Sequence, residues 1–173
     1  MPTLTEYLSD ESTHLPQTMP VEAAAREIEA LHHSAKGSTF SLFFGSQADQ
    51  PLFVYSPFPE LAAVISEDLT RAHLMEYIIG RLEVLKLDPR MAIGTWLDTE
   101  DGRTYIDIVV IVPEKELAVS EGRKYNQIGV FDLRRKKLIR TGGTGIPLPQ
   151  FVPFEQRLPP LVRSPEKEND ERL

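Results

Sequence analysis

Cysteine is absent from this 173-residue chain. That excludes disulfides, thiolate nucleophiles and cysteine-based zinc sites, and it fits a reducing compartment. Histidine is scarce. His14, His32, His33 and His73 show no HxxxH or HExxH spacing, so no metal site is expected, and the four rings read as solvent-facing. Long apolar runs are missing too. The longest is Ile108–Val112, far short of the ~20 residues a membrane helix needs, so no membrane association is expected. The amino-terminal stretch has neither a basic region nor an apolar core, which argues against a secretory leader and for the cytoplasm. No GxSxG, GxGxxG or GxxxxGKS/T frame occurs, so neither a nucleophile elbow nor a standard nucleotide loop is present and no cofactor is expected.

What is present suits one globular domain. Hydrophobic residues make up 41% and charged residues 26%, ordinary values for a soluble α+β protein. Residues 1–17 are polar and without pattern and read as a flexible arm. Residues 18–145 carry the periodic segments and form the domain. Residues 146–173 are rich in proline and then in charge, and read as an extended tail; removal of residues 151–173 is expected to leave the fold intact.

Within the domain, Ala24, Ile28, Leu31 and Ala35 recur at helical spacing, with Thr18 as cap and Gly37 as stop. Segments 39–44 and 51–55 read as a hairpin around the turn residues 45–50, and 61–65 as a further short strand. Leu74, Ile78, Leu82 and Leu85, broadened by Met75 and Ile79, mark the buried stripe of a second helix that Asp88-Pro89 stops. Strands 91–97 and 103–112 flank an Asp101-Gly102 turn, and Pro113 ends the second of them. A helix over 114–124 leads to a strand at 127–132, with 138–140 pairing back. Strand–helix–strand connections usually join parallel strands. The expectation is a single domain with a mixed sheet and two or three helices mainly on one face.

Charge is unevenly placed. Residues 115–140 hold eight Lys/Arg and three Asp/Glu, a formal +5, which leaves −12 on the rest of a −7 chain. Two clusters stand out, Arg123-Lys124-Tyr125-Asn126-Gln127 and Arg134-Arg135-Lys136-Lys137. Arg, Lys, Asn and Gln donate to phosphates and base edges, and a tyrosine can stack on a base. The loop Thr141-Gly142-Gly143-Thr144-Gly145 offers backbone N–H groups to an anion. The plainer readings are a helix end that favours cations, a solvated hairpin turn and a turn that closes the sheet.

Carboxylates cluster at Asp98, Glu100 and Asp101. Asp107 lies mid-strand with Glu114 beyond it, but the Glu114-Lys115 neighbours fall on opposite faces of a strand and do not make a metal-dependent nuclease set. Asp107 reads as an outward-facing strand residue. No residue is assigned a catalytic role.

The pattern Y-x-D-I-V-V-x-V, A-x-x-x-G-R-x-Y-N-Q-I-x-x-F-D-L, I-x-T-G-G-T-G runs from Tyr105 to Gly145. It resembles uncharacterised small bacterial and phage-borne proteins. The resemblance implies an accessory protein carried on mobile DNA and brings no activity, cofactor or catalytic residue with it. The reading is a small non-enzymatic binding module that takes an anionic or protein partner, through protein or weak nucleic-acid contact, at Arg123–Gln127, Arg134–Lys137 and Gly142-Gly143. The alternative is an enzyme acting on a nucleic-acid or phosphorylated substrate at the same face, helped by Asp98 or Asp101.

Overall fold

A computed structural model of the chain describes residues 3–9, 14–149 and 152–161. They form an α+β domain around one twisted sheet. The strands are β1 (Gly37–Ser41), β2 (Gly45–Ser46), β3 (Phe53–Tyr55), β4 (Ala63–Ile65), β5 (Met91–Leu97), β6 (Thr104–Val112), β7 (Gly129–Asp132) and β8 (Lys137–Arg140). The helices are α1 (Leu4–Leu8), α2 (Val21–Ala35), α3 (Arg71–Leu85) and α4 (Lys115–Lys124).

The spatial order is β2-β1-β5-β6-β3-β7-β8, with β4 also paired to β6. Every pairing is antiparallel. β6 and β7, joined through α4, do run parallel, but β3 lies between them and is antiparallel to both. No parallel ladder therefore forms among the described residues. β6 is the organising strand. β5 pairs with residues 104–110 on one edge, while β4 takes residues 104–106 and β3 takes 110–112 of the other. Ser56 bridges the gap between them, donating its hydroxyl to the Ile108 carbonyl at 3.1 Å.

Alternation along β6 divides the core in two. Ile106, Ile108, Val110 and Val112 face α2, α3 and α4 in the main cluster. Val109 and Ile111 face the other side and pack with Leu4, Leu8, Leu52, Val54, Ala92 and Leu133. The segment expected as a loose arm thus supplies α1 to the second face. Thr3 and Glu6 cap it reciprocally, at 3.1 and 2.7 Å, and Tyr7 packs on Phe44.

Other expectations also change. The 39–55 hairpin does not form: β1 turns back only as far as β2, and β3 crosses to β6 and β7. In α3 the buried stripe is Leu74, Tyr77, Ile78 and Leu85, with Leu82 half-buried and Ile79 exposed. His32 is not solvent-facing but 3% exposed. Its ring bonds Thr95 at 3.0 Å and Thr104 at 3.3 Å, and burial lowers its pKa. His73 caps α3 in place of the usual glutamate, accepting from Thr70 N.

The extended tail departs most. Residues 154–157 form a single 3-10 turn. Phe154 packs edge-on against Phe58 at 5.7 Å, and Leu158 lies against the main cluster. Arg157 is 5% exposed, pairs with Glu60 and donates to the Val152 and Pro57 carbonyls. Arg90, held by Asp88, reaches across to the Pro159 carbonyl at 2.7 Å. Phe151 and residues 162–173 lie outside the described residues.

Candidate functional site

The first basic cluster sits where α4 hands over to β7. Asn126 leaves the helix in the left-handed region, at φ 56°. Its side chain then binds the glycine loop. Nδ2 donates to Thr144 Oγ1 at 2.6 Å and to the Ile146 carbonyl at 3.1 Å, while Oδ1 accepts from Thr144 N at 3.0 Å. Gln127 turns the other way and accepts from Ser56 N at 2.8 Å. Thr141 donates its hydroxyl to the Gln127 carbonyl and accepts from Gly143 N. Arg123 donates to the Thr141 carbonyl at 3.0 Å. Tyr125 is 9% exposed, with Lys124 over its ring. A ring so placed has no open face for a base.

Gly142 and Gly143 differ in kind. Gly142 needs its positive φ of 88° and has open space around it. A Cβ on Gly143 would stand 2.2 Å from the Gln127 carbonyl oxygen. The loop is thus pressed against the Asn126–Gln127 backbone.

The second cluster, Arg134–Lys137, forms the β7–β8 turn. Asp132 stabilises it by accepting from Arg135 N at 2.9 Å, and Lys136 holds φ 54° and pairs with Asp49 at 3.3 Å. Arg134, Lys137 and Arg140 have no ion-pair partner among the described residues. β7 separates the two clusters by about 10 Å at ~3.4 Å per residue. The glycine loop and Arg123–Gln127 lie at the Gly129 end, and Arg134–Lys137 lie at the Asp132 end. The structure therefore brings the glycine loop to the first cluster and not to the second.

The carboxylates are farther off. Asp98 and Asp101 occupy the β5–β6 turn, beside Thr104, whereas the Arg134–Lys137 turn lies level with Val112. The two turns are at opposite ends of β6, about 26 Å apart along a strand of that length. Asp101 accepts from the Arg103 backbone N–H at 2.8 Å, which lowers its pKa, and also from the Tyr105 hydroxyl and the Arg103 guanidinium at 2.9 Å each.

A different part of the sheet went unmarked by sequence motifs. On the face away from α2–α4, the register aligns Gly37, Trp96, Tyr105 and Val64 in one cross-strand row. Trp96 is 57% exposed, with its ring 5.7 Å from Tyr105. The next row is Thr39, Gly94 and Asp107. Asp107 finds no hydrogen-bond or ion-pair partner among the described residues. Burial alone pushes its pKa up to about 6. The available signal was strand parity, which puts Tyr105 and Asp107 on the same side, combined with Trp96 across the Asp-Gly turn.

A raised carboxyl pKa has a definite sign in stability. Between about pH 4 and 6 the folded chain holds the proton more tightly than the unfolded chain, so stability falls as pH rises through that window. Above it, the buried charge is a standing cost. Asp107→Asn is expected to stabilise the fold by about 1–2 kcal/mol at pH 7.5, the solvent on its open side screening the rest, and by nothing near pH 4. Urea denaturation at both pH values measures it. Equal stability at pH 7.5 would mean that the carboxylate is well solvated.

Among the described residues, no three His, Asp or Glu side chains are grouped to hold a metal ion, and no helix is long and apolar enough to cross a membrane. Comparison with protein-family models, with curated proteins and with solved structures found no match.

Proposed function

We propose that the chain is a small non-enzymatic binding module that engages a protein partner along the β7–β8 hairpin, the partner contributing an extended acidic segment. One observation carries this. Phe131 and Leu138 stand directly opposite each other, 38% and 56% exposed, on the last two strands of the sheet, beside Arg134, Lys137 and Arg140, which have no ion-pair partner among the described residues. An edge strand offers unpaired backbone groups to an incoming strand, and exposed alternate side chains add specificity.

Protein is favoured over nucleic acid because Tyr125 is buried and Asn126 and Gln127 are occupied within the fold. A binding role is favoured over catalysis because Asp98 and Asp101 stand apart from the cations. An accessory role on mobile DNA, of the kind the Tyr105–Gly145 pattern implies, belongs to this reading. So does a cytoplasmic setting, which rests on the cysteine-free composition.

The test is amide chemical-shift mapping with a capped hexapeptide of alternating glutamate and valine. Shifts are expected over residues 128–140, and Leu138→Ser should weaken binding at least about tenfold, because it removes the apolar contact and adds no charge that would attract the acidic peptide. Shifts elsewhere, or none at low salt, would overturn the reading. Binding of duplex DNA with a log–log salt slope near −4, flattened by replacing Arg134–Lys137 with serine, would replace the protein partner by nucleic acid.

A further inference from the structure

We propose that the sheet face around Gly94, at the far end of β6 from the basic hairpin turn, is a second binding site, built for a lysine or arginine side chain of a protein partner. It is independent of the hairpin reading.

The site follows from the register. Gly94 lies between Thr39 on β1 and Asp107 on β6. With no side chain at its centre, that row is a notch with a hydroxyl on one wall and a carboxylate on the other. Filling it is sterically restricted, since a Cβ at Gly94 would meet Val109 Cγ1 at 3.0 Å. The adjacent row begins with Gly37, where a Cβ would meet the Thr95 carbonyl oxygen at 2.9 Å, and continues through Trp96 and Tyr105 to Val64. A second glycine beside Trp96 leaves the indole open on that flank.

The chemistry specifies a cation with an apolar stem. Trp96 and Tyr105 present adjoining ring surfaces, and a cation over such rings is attracted by their quadrupoles. Arg103 already lies 5.7 Å from the Tyr105 ring centre, so the remaining open ring is the indole. Asp107 lies two residues beyond Tyr105 on the same face, about 7 Å along the strand. A methylene stem laid over the indole would bring an ammonium or guanidinium to that carboxylate. Among the described residues the carboxylate has no partner to displace.

The row spans four strands, about 14 Å, and is open to solvent, with Val64 46% exposed at its end. A flat surface of that width buries little of a small free amine. It suits a side chain delivered on a peptide. The charge agrees, since the chain outside 115–140 carries a formal −12. A partnerless carboxylate that costs stability where it stands is also characteristic of a functional position.

Trp96 is the chain's single tryptophan, so its fluorescence reports this site alone. The experiment titrates the full chain at pH 7.5 and low salt with a capped hexapeptide of alternating lysine and glycine. Its glutamate–glycine counterpart and butylammonium chloride are added at matched ionic strength. A saturable change in Trp96 emission is expected with the lysine peptide alone. Asp107→Asn, which keeps the shape and does not weaken the fold, should raise the dissociation constant at least about tenfold. No saturable change with the lysine peptide would overturn the proposal. So would unchanged affinity in Asp107→Asn, or an equal response to the glutamate peptide. Saturation by butylammonium at the same concentrations would overturn the peptide partner.

Discussion

Ending the chain at Phe151 is expected to lower the unfolding free energy by about 3–5 kcal/mol, the range seen when large buried side chains and buried polar partners are lost together. Three losses coincide. Phe154 and Leu158 leave the main cluster and expose Phe58, which is otherwise fully buried. Glu60 loses Arg157, a charge that is 5% exposed and satisfied on three sides. Arg90 loses the Pro159 carbonyl while remaining buried. Removing one partner of a buried charged pair is costly because the other stays desolvated. The proline-rich sequence reduces the opposing term, since proline has little backbone freedom to lose on docking. Urea denaturation of the full and shortened chains measures the difference, and the Arg157→Ala variant separates the polar share. A loss below about 1 kcal/mol would mean that the segment lies on the surface without packing.

For residues 152–161 the docking seen in the structure departs from the tail expected from composition, and the reason is physical. Six prolines between 147 and 165 suggest an extended segment, and the described residues 152–161 are extended apart from the 3-10 turn at Phe154–Arg157. Composition does not say whether its few apolar side chains find a groove. Phe154 and Leu158 are spaced to reach one side, and Arg157 between them satisfies carbonyls that Pro57 and Val152 leave unpaired. At the other terminus the signal is in the sequence itself: Thr3 and Glu6 have capping-box spacing, and Leu4 and Leu8 lie one turn apart.

Local signals read well and long-range pairing did not. β5 and β6 fall where the Asp-Gly turn and Pro113 put them, and α4 runs between its acidic start and basic end. All of those cues are within a few residues of the element. β3 is different. Turn chemistry at 45–50 favours a hairpin with β1, but Leu52 and Val54 belong to the cluster beneath α1, and only a place beside β6 puts them there. His32 shows the same limit. A helix histidine with no ligand spacing reads as exposed until Thr95 and Thr104 arrive from strands more than sixty residues away. At the candidate site, composition found the cations, whereas burial of Tyr125 and the Trp96–Tyr105–Asp107 face depend on register.

Gly143→Ala is expected to destabilise the fold by about 2–3 kcal/mol, as an added methyl does where nothing can move aside. The ideal Cβ would lie 2.2 Å from the Gln127 carbonyl oxygen, 2.8 Å from the Asn126 carbonyl carbon and 2.9 Å from its oxygen. All three atoms are backbone, so no rotamer relieves the clash. The loop must withdraw, and the Asn126 bonds to Thr144 and Ile146 lengthen with it. Gly145 N, which donates to the Asn126 carbonyl at 2.8 Å, is drawn away as well. Gly142→Ala tests the alternative, because its space is open and only its φ of 88° opposes a side chain, a cost of about 1 kcal/mol. If the loop also cradled a phosphate through its N–H groups, phosphate would raise the melting temperature of the unmodified chain and both variants would lose that gain. If the loop is a clasp that fixes the start of β7, Gly143→Ala alone unfolds early, with or without 10 mM phosphate. Thermal melts of the two variants with and without phosphate separate these outcomes. An anion-dependent gain in the unmodified chain that both variants abolish would restore the ligand role, and equal melting of Gly143→Ala and the unmodified chain would remove the clasp.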